Sequence, residues 1–142
     1  MEMREEFGNI EKYCCQLWQQ EYDANKTGQA HRALEPKITT KIKYTAANRR
    51  KENIISRLRL GKCCLNKYLH DINKHPGGCC ADCHVPETVE HFLLNCKFNG
   101  IPEKVKEKCK EIHMEPSIRN ILTKTLLLDL IAKLITNLGR KI

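Results

Sequence analysis

The sequence predicts a mainly α fold, and three observations carry that prediction. Apolar residues recur at three- and four-residue spacing over most of the chain, aromatics are only 6% of it, and charged residues make up 30%. With 142 residues there is length for one ordinary domain that buries a core of its own. We take residues 1–142 as a single domain with four parts: an N-terminal helix and loop (1–36), a basic helical region (37–75), a cysteine motif (76–97) and C-terminal helices (98–142).

The first helix is expected over about Glu5–Asp23, with Tyr13, Cys14, Leu17, Trp18 and Tyr22 on one face and Gly28 as a stop. Residues up to Pro36 show no clear period. Residues 37–44 are β-branched and weakly alternating, which suits an extended segment. From Thr45 the pattern turns helical again. Thr45 or Asn48 would cap a helix whose inner face is Ile54, Ile55 and Leu58, and Gly61 would break it.

A short amphipathic helix follows, with Cys64, Leu65, Tyr68, Leu69 and Ile72 inward. After the turn His75-Pro76-Gly77-Gly78 and the cysteines, a helix is expected from Pro86 to Asn95. Ile101, Val105, Cys109 and Ile112 mark the next stripe. Ser117 is a reasonable N-cap for Ile118, Ile121 and Leu122. The last helix carries Leu127, Leu130, Ile131, Leu134 and Leu138 and ends at Gly139.

Nine cysteines are many for this length, and the count is odd. The start of the chain is charged and has no apolar signal region, so a secreted disulfide framework is disfavoured and an intracellular protein, nuclear or cytoplasmic, is expected. In that setting the cluster Cys80-x2-Cys83-x7-His91-x4-Cys96 points to one structural zinc ion. Two cysteines three apart let a tight turn aim both thiolates at one ion. His91 and Cys96 complete four ligands, and a short β-hairpin at the site would suit that turn. Five helical residues rotate direction by roughly 140°, so Cys96 must leave α-geometry to meet His91.

Cys79 could replace Cys80 as ligand, and His75 and His84 are weaker alternatives. Glu87, one turn before His91, is a candidate acceptor for the free ring N–H. The other cysteines are expected to pack as small hydrophobes, with Cys15 and Cys63 as candidates for exposure.

The net charge of +8 is concentrated. Residues 37–62 hold nine basic residues against one acid, Glu52, and the remainder is neutral. Arg49, Arg50, Lys51, Arg57, Arg59 and Lys62 are therefore the candidate phosphate contacts for nucleic acid, RNA or DNA, and Tyr44 could stack on a base. The competing reading is a protein-interaction module that docks through the apolar last helix. Leu126 to Leu138 is too short and too interrupted to span a membrane. An enzyme is not expected: no glycine loop cradles phosphate, and no His-x-Glu accompanies the cysteines as a zinc deaminase requires.

Several of these blocks together resemble a known arrangement. Trp18-Gln19, Arg57-Leu58-Arg59-Leu60-Gly61, Leu65-Asn66-Lys67-Tyr68-Leu69, Cys80-x2-Cys83 and Glu87-Thr88-Val89-Glu90-His91-Phe92-Leu93-Leu94-x-Cys96 look like the tail of non-LTR (LINE-type) retrotransposon polyproteins. That tail carries the reverse-transcriptase-associated zinc-binding motif. The resemblance covers about residues 18–96 and implies nucleic-acid handling. It departs from the family at Lys62, where a histidine is frequent, and nothing after Cys96 is recognisable.

Overall fold

The computed structural model describes residues 2–39 and 46–142. The chain divides into two compact units, residues 1–43 and 44–142, in place of the single domain that the sequence predicts. Among the described residues the fold is helical, with no strand. No helix there is long and apolar enough to cross a membrane.

The first unit contains α1 (Glu2–Ala24) and α2 (Gln29–Leu34). Gly28, expected to stop α1, instead takes left-handed backbone (φ 69°) immediately before α2, a helix with no clear period in the sequence. The expected inner face of α1 is not buried. Tyr13, Leu17 and Trp18 are exposed, as are Phe7 and Ile10, while Tyr22 is half-buried. Tyr22 is held by its hydroxyl, which donates to the Glu35 carbonyl at 2.8 Å, and Arg32 stacks over its ring. Gln19 clamps the segment after α2: its amide donates to the Pro36 carbonyl, and its oxygen accepts from the Ile38 N–H, both at 2.9 Å. The expected extended segment lies largely outside the described residues, as do Thr45 and Tyr44.

The second unit contains α3 (Arg49–Leu60), α4 (Asn66–Asp71), a single π turn (His91–Asn95), α5 (Ile101–Glu111), α6 (Ile118–Thr123) and α7 (Thr125–Leu138). Asn48 caps α3 by accepting from the Lys51 N–H at 3.0 Å. Gly61, at φ 68°, closes it: the Gly61 and Lys62 N–H groups return to the Leu58 and Arg57 carbonyls. Ser117 caps α6 and Gly139 ends α7 in left-handed backbone, as the sequence predicts.

The core forms where α7 packs on α3, α5 and α6, and where α5 packs on the π turn. Leu127, Leu128, Ile131 and Ile135 of α7 are fully buried, together with Val105 and Cys109 of α5. Each large apolar side chain of this kind stabilises the fold by about 1.5–3 kcal/mol. The last helix is thus a central core element, and its inner face is not free to dock a partner.

Candidate metal centre

The site is built on a tight reversal of the chain between Gly78 and Glu87. Cys80 N–H donates to the Val85 carbonyl at 2.8 Å, Glu87 N–H donates to the Gly78 carbonyl at 2.8 Å, and Cys79 and Pro86 form an isolated antiparallel bridge. This is a hairpin-like corner rather than a full hairpin. Between its arms the His84 N–H returns to the Cys80 carbonyl at 3.0 Å, and His84 takes left-handed backbone (φ 57°) to close the turn. Because side chains alternate along extended backbone, Cys80 points inward and is buried while Cys79 points out and is exposed.

These backbone bonds correct the expected start of the next helix. Pro86 and Glu87 are extended; helical backbone begins only at Val89 and continues directly into the π turn. In that turn the Cys96 N–H donates to the His91 carbonyl at 2.7 Å, a five-residue step in place of the usual four. Cys96 itself has left helical geometry (φ −67°, ψ 123°). The rotational mismatch foreseen between His91 and Cys96 is resolved by the wide turn and the extended cap together.

As a result Cys80, Cys83, His91 and Cys96 each bring a ligand atom within 4.8 Å of the others, a cluster that could hold a metal ion. Cys83 Sγ and Cys96 Sγ lie 3.9 Å apart. His91 is buried, and its Nε2 has no hydrogen-bond partner. An orphaned buried imidazole nitrogen costs desolvation energy unless something binds it, and a cation would supply that partner. Burial pushes the Cys96 thiol up, and hydrogen bonds from the Phe98 and Asn99 backbone act in the opposite direction. The nearby Cys80 also raises it, because neighbouring thiolates repel one another without a cation between them. Four protein ligands leave no place for a reactive water, so such a centre is structural.

The remaining candidates fall outside the cluster. Cys79 and His84 are exposed, and His75 Nδ1 lies against the Gly77 backbone. Glu87 does not serve His91. Its carboxylate is buried and accepts from the Asn66 N–H at 2.7 Å and from Arg140 at 2.8 and 3.0 Å. Cys63 is buried rather than exposed, Cys14 is exposed rather than packed, and Cys109 is buried as expected.

The basic residues do not form one patch. Arg50 and Arg57 are seven residues apart on α3, a rotation of roughly 700°, and so share a flank with Arg49 nearby. Arg59 lies nine residues from Arg50, roughly 180° around the helix, and is half-buried; Lys51 is half-buried toward the inner face. Lys62 is exposed beyond the Gly61 cap. No family model, no curated protein and no solved structure matches this chain.

Proposed function

We propose that the chain is a non-catalytic zinc-binding module that binds nucleic acid through the exposed flank of α3, in keeping with its resemblance to the retrotransposon polyprotein tail. The single observation that carries the binding reading is the projection of Arg49, Arg50 and Arg57 from one side of a helix whose other side is core. Guanidinium groups grouped within about 100° of one helix face offer a phosphate backbone more concentrated charge than a scattered basic run.

Zinc is the ion that fits the donors. Three thiolates and one imidazole are a structural zinc set, and Zn–S bonds of about 2.3 Å place tetrahedral sulfurs about 3.8 Å apart. The Cys83–Cys96 separation of 3.9 Å agrees. Bound there, the ion would hold the corner that carries Glu87 against α4 and the chain's last residues.

Two measurements test the reading. Zinc should purify at one ion per chain. Binding of labelled single-stranded RNA or duplex DNA should weaken steeply between about 50 and 200 mM salt, and Arg50→Ala should weaken it where Arg59→Ala does not. Salt-independent retention, or equal loss in the two variants, contradicts the proposal.

A second reading, a protein-interaction module, is favoured by α1. Phe7 (70% exposed), Ile10, Leu17 and Trp18 (52% exposed) form a long apolar stripe at helical spacing. On this reading Leu17→Glu abolishes association with the partner and leaves nucleic-acid affinity unchanged.

A further inference from the structure

We infer that the segment 140–142, which follows α7, forms the second wall of the α3 site, so that Lys141 contacts the nucleic-acid backbone alongside Arg49, Arg50 and Arg57. The inference rests on the nucleic-acid reading above and extends the same site by a residue outside the basic segment.

One cleft is lined by Arg49, Arg50 and Arg57 from α3 and by Arg140, Lys141 and Ile142 from the segment after α7, with no acidic side chain in its lining. Left-handed Gly139 turns the chain off α7 toward it. The three residues after Gly139 then have different fates. Arg140 turns to Glu87, and its charge is spent in that ion pair. Ile142 is buried, and Arg57 donates to its main-chain oxygen at 2.5 Å. Lys141, between these two anchored neighbours, is exposed.

The physical consequence is an ammonium group on backbone held at both neighbouring residues. Ordering an unanchored residue on binding costs about 1–2 kcal/mol of backbone entropy; here the contacts of Arg140 and Ile142 have already met that cost. Lys141 shares one cleft with Arg49 and Arg50, so like charges are gathered there, and an anion bound in the cleft relieves their repulsion. A polyanion that offers successive phosphates suits a cleft with cations on both sides.

The test uses the full zinc-loaded chain and the fluorescence anisotropy of labelled single-stranded RNA, with duplex DNA in a parallel arm, over about 50–200 mM salt. Lys141→Ala should weaken binding about two- to fivefold, the scale of one exposed ion pair. It should also make the salt slope shallower by about 0.7 on the single strand or about 0.9 on the duplex. Lys141→Arg should restore both quantities, and Lys133→Ala, an exposed lysine on α7, should change neither.

If Lys141→Ala binds like the wild type while Arg50→Ala is impaired, the second wall is refuted and the α3 site stands. If Lys133→Ala weakens binding as much as Lys141→Ala, the effect is one of overall charge and the inference fails. If Arg50→Ala is also indistinguishable from wild type, the α3 reading falls and this inference with it.

Discussion

Arg140 and Glu87, 53 residues apart in sequence, meet in an ion pair in which one guanidinium nitrogen reaches both carboxylate oxygens, at 3.0 and 2.8 Å. The carboxylate also accepts from the first N–H of α4, and the Glu87 carbonyl accepts from Lys67 N–H. One buried acid therefore caps α4, ends the corner that carries the cysteines and anchors Arg140, just beyond α7. Its position is dictated by the corner, so any ion that stiffens the corner also steadies the other two.

Replacing Glu87 with glutamine keeps the shape and removes the charge. The Asn66 contact can survive, but the ion pair cannot. We expect a loss of about 1.5–3 kcal/mol, the range for a hydrogen bond to a charged group, toward the lower end because Arg140 is 38% exposed. Urea unfolding of the variant checks this. An unchanged midpoint would show that the pair anchors nothing.

On the zinc reading, chelation should have a larger effect. Structural zinc contributes on the order of 10–16 kcal/mol in small peptides, comparable to the whole stability of a typical domain. Without it, clustered thiols and an orphaned imbalance of donors at His91 remain, and the 78–96 region should open. Amide exchange at Phe92, Leu93 and Leu94 should accelerate in chelator and slow again when zinc is restored. Identical exchange in both conditions would count against a structural ion.

The core of the second unit offers a paired test on adjacent leucines. Leu127 is fully buried, whereas Leu126 is 62% exposed. Leu127→Ala should cost about 2–5 kcal/mol through lost burial and a residual cavity. Leu126→Ala should stay within about 0.5 kcal/mol. Thermal or urea melts of the two proteins make the comparison direct.

Stability should also fall at alkaline pH. Burial pushes the Cys63 and Cys109 thiols up, so the folded chain keeps protons that the unfolded chain gives up near the ordinary thiol value of about 8.5. Below that value their contribution is fully present. As pH rises above it toward the folded value, unfolding releases protons and stability declines, by at most about 1.4 kcal/mol per pH unit for each thiol. Cys109→Ala should flatten this decline in urea titrations run from neutral pH to about pH 10.

Much of the second unit was legible because local signals and burial agree there. Asn48, Ser117, Gly61 and Gly139 punctuate helices as their chemistry dictates, and Ile54, Ile55 and Leu58 fall on the inner arc of α3. The Cys80, Cys83, His91 and Cys96 grouping could be read from spacing alone because all four ligands lie within a short stretch. Glu87 was misjudged for a different reason. Its helix-like spacing to His91 is overruled by the backbone bond to Gly78, which extends residues 86 and 87. The pairing of Arg140 with Glu87 joins residues 53 apart in sequence, which no local pattern announces. On α1, periodicity correctly marks a helical face but carries no information about what covers it.

The wide turn between His91 and Asn95 limits which lengths this part of the chain can tolerate. With the ladder closing over five residues, removing one would return the segment to ordinary α-geometry and swing Cys96 away from the other donors. Adding one would push that sulfur past the corner. The four residues between His91 and Cys96 thus act as a molecular ruler, and insertions or deletions there should be far more damaging than substitutions at exposed Asn95.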